Sequence, residues 1–215
     1  KKLKIIGLTS CIPSEGKSLI NIILSKTLSE LGQKILLVDA DLRKPQIHKR
    51  LNLENIVGLS NLLTDNKLDW EDCSINVKGY PNWDVIPSGT IPPDPAKILS
   101  SDKMKNLIET LSNSKKYDYI IIDTPPILGL SDSNLISEYC DLMILLVSIQ
   151  KVDRDLPKEA VSRIRKFGSC QVGYITNSIK EEKIGKGSGY GYGYGYGYGY
   201  GYGYGYADNS YISSY

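Results

Sequence analysis

The chain has 215 residues, enough for one domain or one domain with a tail. Its 26 Lys and Arg against 24 Asp and Glu leave a net charge of +2, which argues against a general nucleic-acid binder with its clustered basic surplus. No apolar run approaches the roughly 18 residues needed to span a bilayer. The start at Lys1 reads as an excised piece of something longer. Lys1, Lys2 and Lys4 run directly into a strand, not into a signal peptide.

Lys4 to Thr9 is a short apolar run that reads as a strand, and Ser10 to Gly16 is turn-like. Lys17 to Leu31 reads as a helix whose apolar residues cover more than one face, as for a helix packed near the centre of a sheet. Gly32 stands at its C-terminal cap. Further strands are expected at Ile35 to Val38, Tyr119 to Ile122, Leu142 to Val147 and Gln171 to Thr176. Helices are expected at Ser101 to Ser112, Ser131 to Tyr139 and Leu156 to Phe167. Continuous Ile, Leu and Val runs mark strands buried on both faces, and their alternation with helices implies an α/β fold with a mainly parallel sheet. Residues 52 to 100, rich in Asn, Asp, Pro and Gly, read as irregular, with short helices and a strand at Trp83 to Ile86.

The last stretch is different. Of 16 tyrosines, 11 lie at or beyond Tyr190, and Gly189 to Tyr206 is an unbroken Gly-Tyr repeat of nine units. Glycine at every second position raises the entropy cost of ordering, so residues 187–215 are expected to be a flexible tail after a domain at 1–186. Cys11, Cys73, Cys140 and Cys170 are scattered without the spacing of a zinc site. They read as small buried thiols of a reducing cytoplasm, and His48 as part of a solvated polar face.

Three segments carry chemistry. Ser10-Cys11-Ile12-Pro13-Ser14-Glu15-Gly16-Lys17-Ser18, between a strand and a helix, follows the phosphate-loop pattern GxxxxGK[ST] with Cys11 in place of the first glycine. Gly16 lets the backbone approach phosphate oxygens, the opening amides of the helix point at an anion, Lys17 reaches the β- and γ-phosphates, and Ser18 can ligate Mg²⁺. Asp123 ends a buried strand at the edge where ligands bind in open α/β sheets, a place suited to holding Mg²⁺. Asp39 and Asp41 follow Ile35-Leu36-Leu37-Val38. Two carboxylates this close repel unless a cation or a proton lies between them. Asp41 therefore reads as a Mg²⁺ neighbour and Asp39 as an acceptor of a hydroxyl proton.

These segments, Ser10 to Ser18, Ile35 to Arg43 and Ile120 to Pro125, resemble the three Walker motifs of the bacterial tyrosine kinases of capsule and exopolysaccharide synthesis. That family belongs to the deviant-Walker P-loop ATPases, with MinD and ParA. Ser88-Gly89-Thr90-Ile91-Pro92-Pro93-Asp94-Pro95 and the tyrosine cluster are also similar to the family. The resemblance implies ATP and Mg²⁺ as cofactors. Pro13, Ser14, Glu15, Gly16, Lys17 and Ser18 would bind the nucleotide phosphates. Ser18, Asp41 and Asp123 would hold the metal, and Asp39 would be the catalytic base beside Lys17 and Asp41. Asn177 is similar in position to an adenine-contacting Asn of related ATPases. The acceptors implied are Tyr190, Tyr192, Tyr194, Tyr196, Tyr198, Tyr200, Tyr202, Tyr204, Tyr206, Tyr211 and Tyr215, modified between subunits.

The family's assembly helix, with Glu and spaced Arg residues before the first strand, has no counterpart in residues 1–215. The family forms a ring-like homo-oligomer through that helix, so the departure counts against ring formation by residues 1–215. A separate transmembrane adaptor or chain-length regulator, a tyrosine phosphatase, and a cytoplasmic site at the inner face of the membrane are implied too, with no nucleic-acid partner. Two rivals share Mg-ATP binding: a ParA/MinD-type ATPase and a non-catalytic ATP-dependent scaffold. Cys11-Ile12-Pro13 lacks the extra lysine usual early in the loop of the first.

Overall fold

Ile5–Ser10 forms β1, and each of its six residues is buried. In the computed structural model, which describes residues 3–168 and 170–177, this strand lies inside a seven-stranded sheet. The remaining elements follow in chain order: α1 (Lys17–Glu30), β2 (Ile35–Asp39), α2 (Ile47–Leu51), α3 (Leu59–Thr64), β3 (Ile75–Asn76), β4 (Trp83–Ile86), α4 (Pro95–Leu99), α5 (Asp102–Asn113), β5 (Tyr119–Asp123), α6 (Asp132–Ser137), β6 (Leu142–Ser148), α7 (Leu156–Phe167) and β7 (Gln171–Asn177). The described residues belong to one unit, Lys1–Lys180. The expected tail, with all eleven acceptor tyrosines, lies outside the described residues.

The strand order is β3-β4-β2-β5-β1-β6-β7. Every pairing is parallel except the short β3–β4 ladder. The apolar runs explain this. In β2, Leu36 and Val38 join one core, with Leu59, Leu107, Ile136 and Ile164 from the helices of that face. Ile35 and Leu37 join the other, with Ile47 of α2 and with Ile22 and Leu28 of α1. A strand whose alternate side chains both meet a helical layer has no polar face to show, so its sequence cannot alternate.

Residues 52–100 hold the expected short helices, Leu59–Thr64 and Pro95–Leu99, and the expected strand at Trp83–Ile86. The helices there are one or two turns long, below the length at which periodicity can be read, and their ends are set by local bonds. Asp94 Oδ1 accepts the Lys97 amide at 3.1 Å, with Pro95 opening α4. Ser101 Oγ likewise accepts the Met104 amide at 3.3 Å at the start of α5. The expected helix at Ser131 to Tyr139 is shorter, Asp132–Ser137. His48 is only partly solvated beside the exposed Lys49 and Arg50: its Nδ1 is buried without a partner, and burial lowers its pKa.

α1 packs on the central strands of the sheet as expected, but on an unexpected face. Its buried stripe is polar, Lys17, Asn21, Ser25 and Ser29 at four-residue spacing. Leu19 and Ile23 are about half exposed, at 45% and 50%. Lys17 and Asn21 of that stripe meet the carboxylates at the sheet's end, while Ser25 Oγ further along is buried without a partner. Leu36→Ala, which empties a fully buried site, is expected to cost about 2–5 kcal/mol in urea denaturation. Leu19→Ala on the outer face should stay within about 0.5 kcal/mol.

Candidate active site

The phosphate loop, residues 11–16, joins β1 to α1. Gly16 has φ +101°, and a Cβ there would lie 3.0 Å from Asn177 Nδ2, so backbone angle and close approach both require glycine. Ser14 also takes a left-handed conformation, φ +64°, with its carbonyl accepting Lys151 Nζ at 3.0 Å. Cys11 replaces the customary glycine without strain, since Ser14 and Asn52 are the non-glycine residues of positive φ among the described residues. Its side chain is buried in the core, which pushes the thiol up to about 12.

Glu15 works inward. Its carboxylate accepts the amide of Ile12 at 2.8 Å and that of Ser148 at 2.6 Å, tying the loop to itself and to the end of β6. Asn177, opposite Ser148 in the β6–β7 register, donates its amide to Glu15 O at 2.9 Å. Among the residues expected at the nucleotide, these two side chains brace the loop, leaving Glu15 to contribute its backbone. Pro13 and Ser14 are exposed at the loop's crest.

The carboxylates converge from two neighbouring strands. Asp39 of β2 and Asp123 of β5 are register partners, and neither has exposed surface. Asp123 is gripped from α1: Ser18 Oγ donates to Oδ2 and Asn21 Nδ2 to Oδ1, each at 2.7 Å. Burial nonetheless pushes its pKa up to about 6, against the opposing charge of Lys17 and the Ser18 bond. Asp39 accepts the Ile47 amide at 3.2 Å on Oδ2, while Oδ1 is buried without a partner. Burial, and then the charge of Asp123, raise its pKa well above the ordinary carboxylate range. Asp41 receives the Lys44 amide at 3.0 Å and lies 3.7 Å from Lys17 Nζ. Lys17, Ser18, Asp39, Asp41 and Asp123 therefore meet at one edge of the sheet.

Five contributing residues were not singled out from sequence. Asn21 fixes Asp123; a buried Asn one turn after Lys17 would have been the signal, but the apolar residues around it mask the stripe. Arg43 forms a two-pronged ion pair with the fully buried Asp132, Nε to Oδ2 at 2.7 Å and Nη2 to Oδ1 at 3.1 Å, tying the loop after Asp41 to α6. Thr9 and Ser133 both donate to the carbonyl of Pro125, holding the turn beyond Asp123.

A nucleotide and a divalent cation fit this donor set. Among the described residues, no three Asp, Glu, His or Cys side chains form a metal site by themselves. Two carboxylates and a serine hydroxyl would suit the partial shell of an ion that takes its other ligands from phosphate and water. The unpartnered Asp39 oxygen and the raised Asp123 mark a site short of positive charge.

The sheet, the loop and these motifs define a P-loop nucleotide-binding protein of the deviant-Walker group. An AAA domain family matches residues 4–156. Tyrosine-protein kinase YwqD of Bacillus subtilis (strain 168) is 36% identical over 183 residues, 85% of this chain and 76% of that protein. Tyrosine-protein kinase ptk of Acinetobacter johnsonii is 35% identical over 181 residues, 84% of this chain but 24% of that longer protein. The chain belongs to the AAA-domain proteins and, within them, to the bacterial protein-tyrosine kinases.

Solved structures agree. The chimerical protein CapA2B2 has a TM-score of 0.78 at 33% identity over 84% of this chain and 78% of that chain. The kinase domain of Escherichia coli tyrosine kinase ETK gives 0.79 at 27% identity, over 90% and 73%. MinD of Aquifex aeolicus shares the fold, with a TM-score of 0.68 at 22% identity over 84% and 72%.

The raised carboxylates carry a stability cost with a definite sign. A folded-state pKa above the unfolded value near 3.9 means that the native state holds more protons between the two values, so stability falls as pH rises through that window. Asp39→Asn is expected to melt higher than wild type at pH 7.5, by about 2–4 °C per kcal/mol recovered. The difference should shrink toward zero as pH approaches about 4. Scanning calorimetry of the nucleotide-free protein at both pH values checks this.

Proposed function

We propose that the chain transfers the γ-phosphoryl group of ATP to tyrosines of the C-terminal repeat of another copy. The observation that carries this reading is the buried, unpartnered Oδ1 of Asp39 beside the Lys17–Asp41 pair. An acid–base group with a raised pKa and a free oxygen is placed to take a proton. As the tyrosine oxygen bonds to Pγ, the Pγ–O bond to ADP breaks and its electron pair leaves with ADP. The phenolic proton passes to Asp39. Lys17 and the loop amides hold the phosphates, and Asn177 keeps the loop in place beneath them.

Ser18, Asp41 and Asp123 are the residues that would hold Mg²⁺, which supplies neutralising charge at the phosphates when bound. Arg43 and Asp132 keep Asp41 within reach of Lys17 by fixing the loop that follows it.

Tyr190 through Tyr206, with Tyr211 and Tyr215, are the proposed acceptors, on a tail at 187–215 that follows a kinase domain at 1–186. The resemblance to capsule and exopolysaccharide kinases carries the wider reading. In it, the enzyme regulates polysaccharide synthesis and export together with a transmembrane adaptor, is reversed by a tyrosine phosphatase, and acts as an oligomer on the cytoplasmic face of the membrane. No described helix is long and apolar enough to cross a membrane, so a membrane position would rest on the adaptor.

Incubation with labelled ATP and Mg²⁺, followed by mass spectrometry, tests the reading. Phosphotyrosine is expected in residues 190–215 and should disappear in Lys17→Met. ATP hydrolysis without phosphotyrosine would favour a MinD-like ATPase instead, and binding with neither a scaffold. Asp39→Asn should slow transfer by about 10²–10⁴-fold while changing nucleotide affinity little. Equal losses in both would assign Asp39 to the metal.

A further inference from the structure

Next to the carboxylates, on the same edge of the sheet, two loops present apolar side chains to solvent. Ile56 is 72% exposed and Ile91 67%, with Val57 at 37%. Ile56 and Ile91 are two of the three most exposed large apolar side chains among the described residues. Exposed isoleucines on mobile loops would be unremarkable, but these loops are fastened together. Asn55 donates to Gly89 O at 2.9 Å and accepts the Gly89 amide at 2.8 Å. The amides of Leu59 and Ser60 donate to the carbonyls of Pro87 and Ser88 at 2.8 and 2.9 Å. Asn61 accepts the Thr90 amide at 3.2 Å, and Ser60 Oγ donates to Thr90 O. A Cβ on Gly58 would strike the backbone of Pro87 and Gly89, so the loops touch without room for a side chain between them.

Their place is fixed by the sheet. Val38 of β2 is the register partner of Ile86 of β4. The segment Pro87–Gly89 therefore leaves the sheet beside Asp39–Asp41, one strand spacing or about 5 Å away. α2, whose first amide donates to Asp39, leads on to Asn55 and Ile56. Asp94, three residues past Ile91, is near enough to Arg43 to act on its charge.

Resting on the transfer proposed above, we propose that this ledge, Ile56, Val57 and Ile91 with Pro92 and Pro93, seats tyrosine rings of the Gly189–Tyr206 repeat of a second copy. The match is chemical. Residues 55–63 and 85–93 carry no charge, in a chain with 23% charged residues, and the repeat carries none over its 18 residues. Rings at every second position, separated by glycine, can lie on isoleucine and proline without a neighbouring side chain in the way. The ledge is fastened before binding, so little ordering cost falls on it. One ring held there would keep the chain of a neighbouring tyrosine beside Asp39, and the regular repeat would let each acceptor take the seat in turn.

The test uses full-length Ile56→Asp/Ile91→Asp enzyme, with full-length Lys17→Met protein as the acceptor in trans. Initial rates of tail phosphotyrosine are followed against acceptor concentration, and Mg-ADP affinity is measured by calorimetry. The ledge predicts a rise in KM for the acceptor of about tenfold or more, an ADP affinity within about twofold of wild type, and restoration of KM by Ile56→Leu/Ile91→Leu. An unchanged KM in the aspartate variant, with wild type active, overturns the ledge and leaves the transfer reading standing. A fall in ADP affinity matching the loss of rate overturns it too, since the effect would then lie in the nucleotide site. Absence of phosphotyrosine with wild-type enzyme overturns both readings.

Discussion

Two carboxylates without exposed surface sit opposite one another at the ends of adjacent parallel strands. Unbalanced, the pair of Asp39 and Asp123 would oppose folding, because each charge is both desolvated and close to its like. The surrounding structure is arranged to tolerate it. α1 places Lys17, Ser18 and Asn21 along one stripe, so one helix supplies an ammonium and two hydrogen-bond donors to the strand ends. Burial and neighbouring charge raise the pKa of both, which favours their protonated forms while no cation is bound. A divalent cation with its phosphates would reverse that balance.

This arrangement ties stability to function. A protein selected for stability alone would carry amides or apolar residues at these positions. The parallel order β4-β2-β5-β1-β6-β7 brings the exits of β2, β5, β1 and β7 to one edge, where Asp39, Asp41, Asp123, the phosphate loop and Asn177 all lie. The Arg43–Asp132 pair and the Glu15 brace then lock the connecting loops to the sheet. The kinase neighbours and MinD share this frame, and in the reading proposed above the chemistry is set by a hydroxyl offered to Asp39.

Much of the sheet was legible because its strands are continuous apolar runs that stop at Asp39, Asp123 and the phosphate loop. Chemistry and topology are marked at the same positions. The inward polarity of α1 was not legible: Leu19, Ile20, Ile22, Ile23 and Leu24 suggest a buried helix, whereas the stripe that decides its orientation is Lys17, Asn21, Ser25 and Ser29. The Arg43–Asp132 pair joins residues 89 positions apart and has no local signature. α2, α3 and α4 are too short for their period to be visible, and the loops they flank are held by Asn55 and Asn61, residue types that read only as turn formers. Glu15 and Asn177 were legible as members of the site, but their bracing bonds depend on how β6 and β7 end.

Burial and mutual repulsion raise the pKa values of this carboxylate pair. Carbon-13 NMR of carboxyl-labelled aspartates, titrated in the nucleotide-free protein, measures this directly. Asp123 should titrate near 6, with Asp39 also above the ordinary carboxylate range, and the Asp39 midpoint should fall in Asp123→Asn as the neighbouring charge is removed. Midpoints for both residues at or below about 3.9 would contradict the claim that burial and mutual repulsion hold this pair.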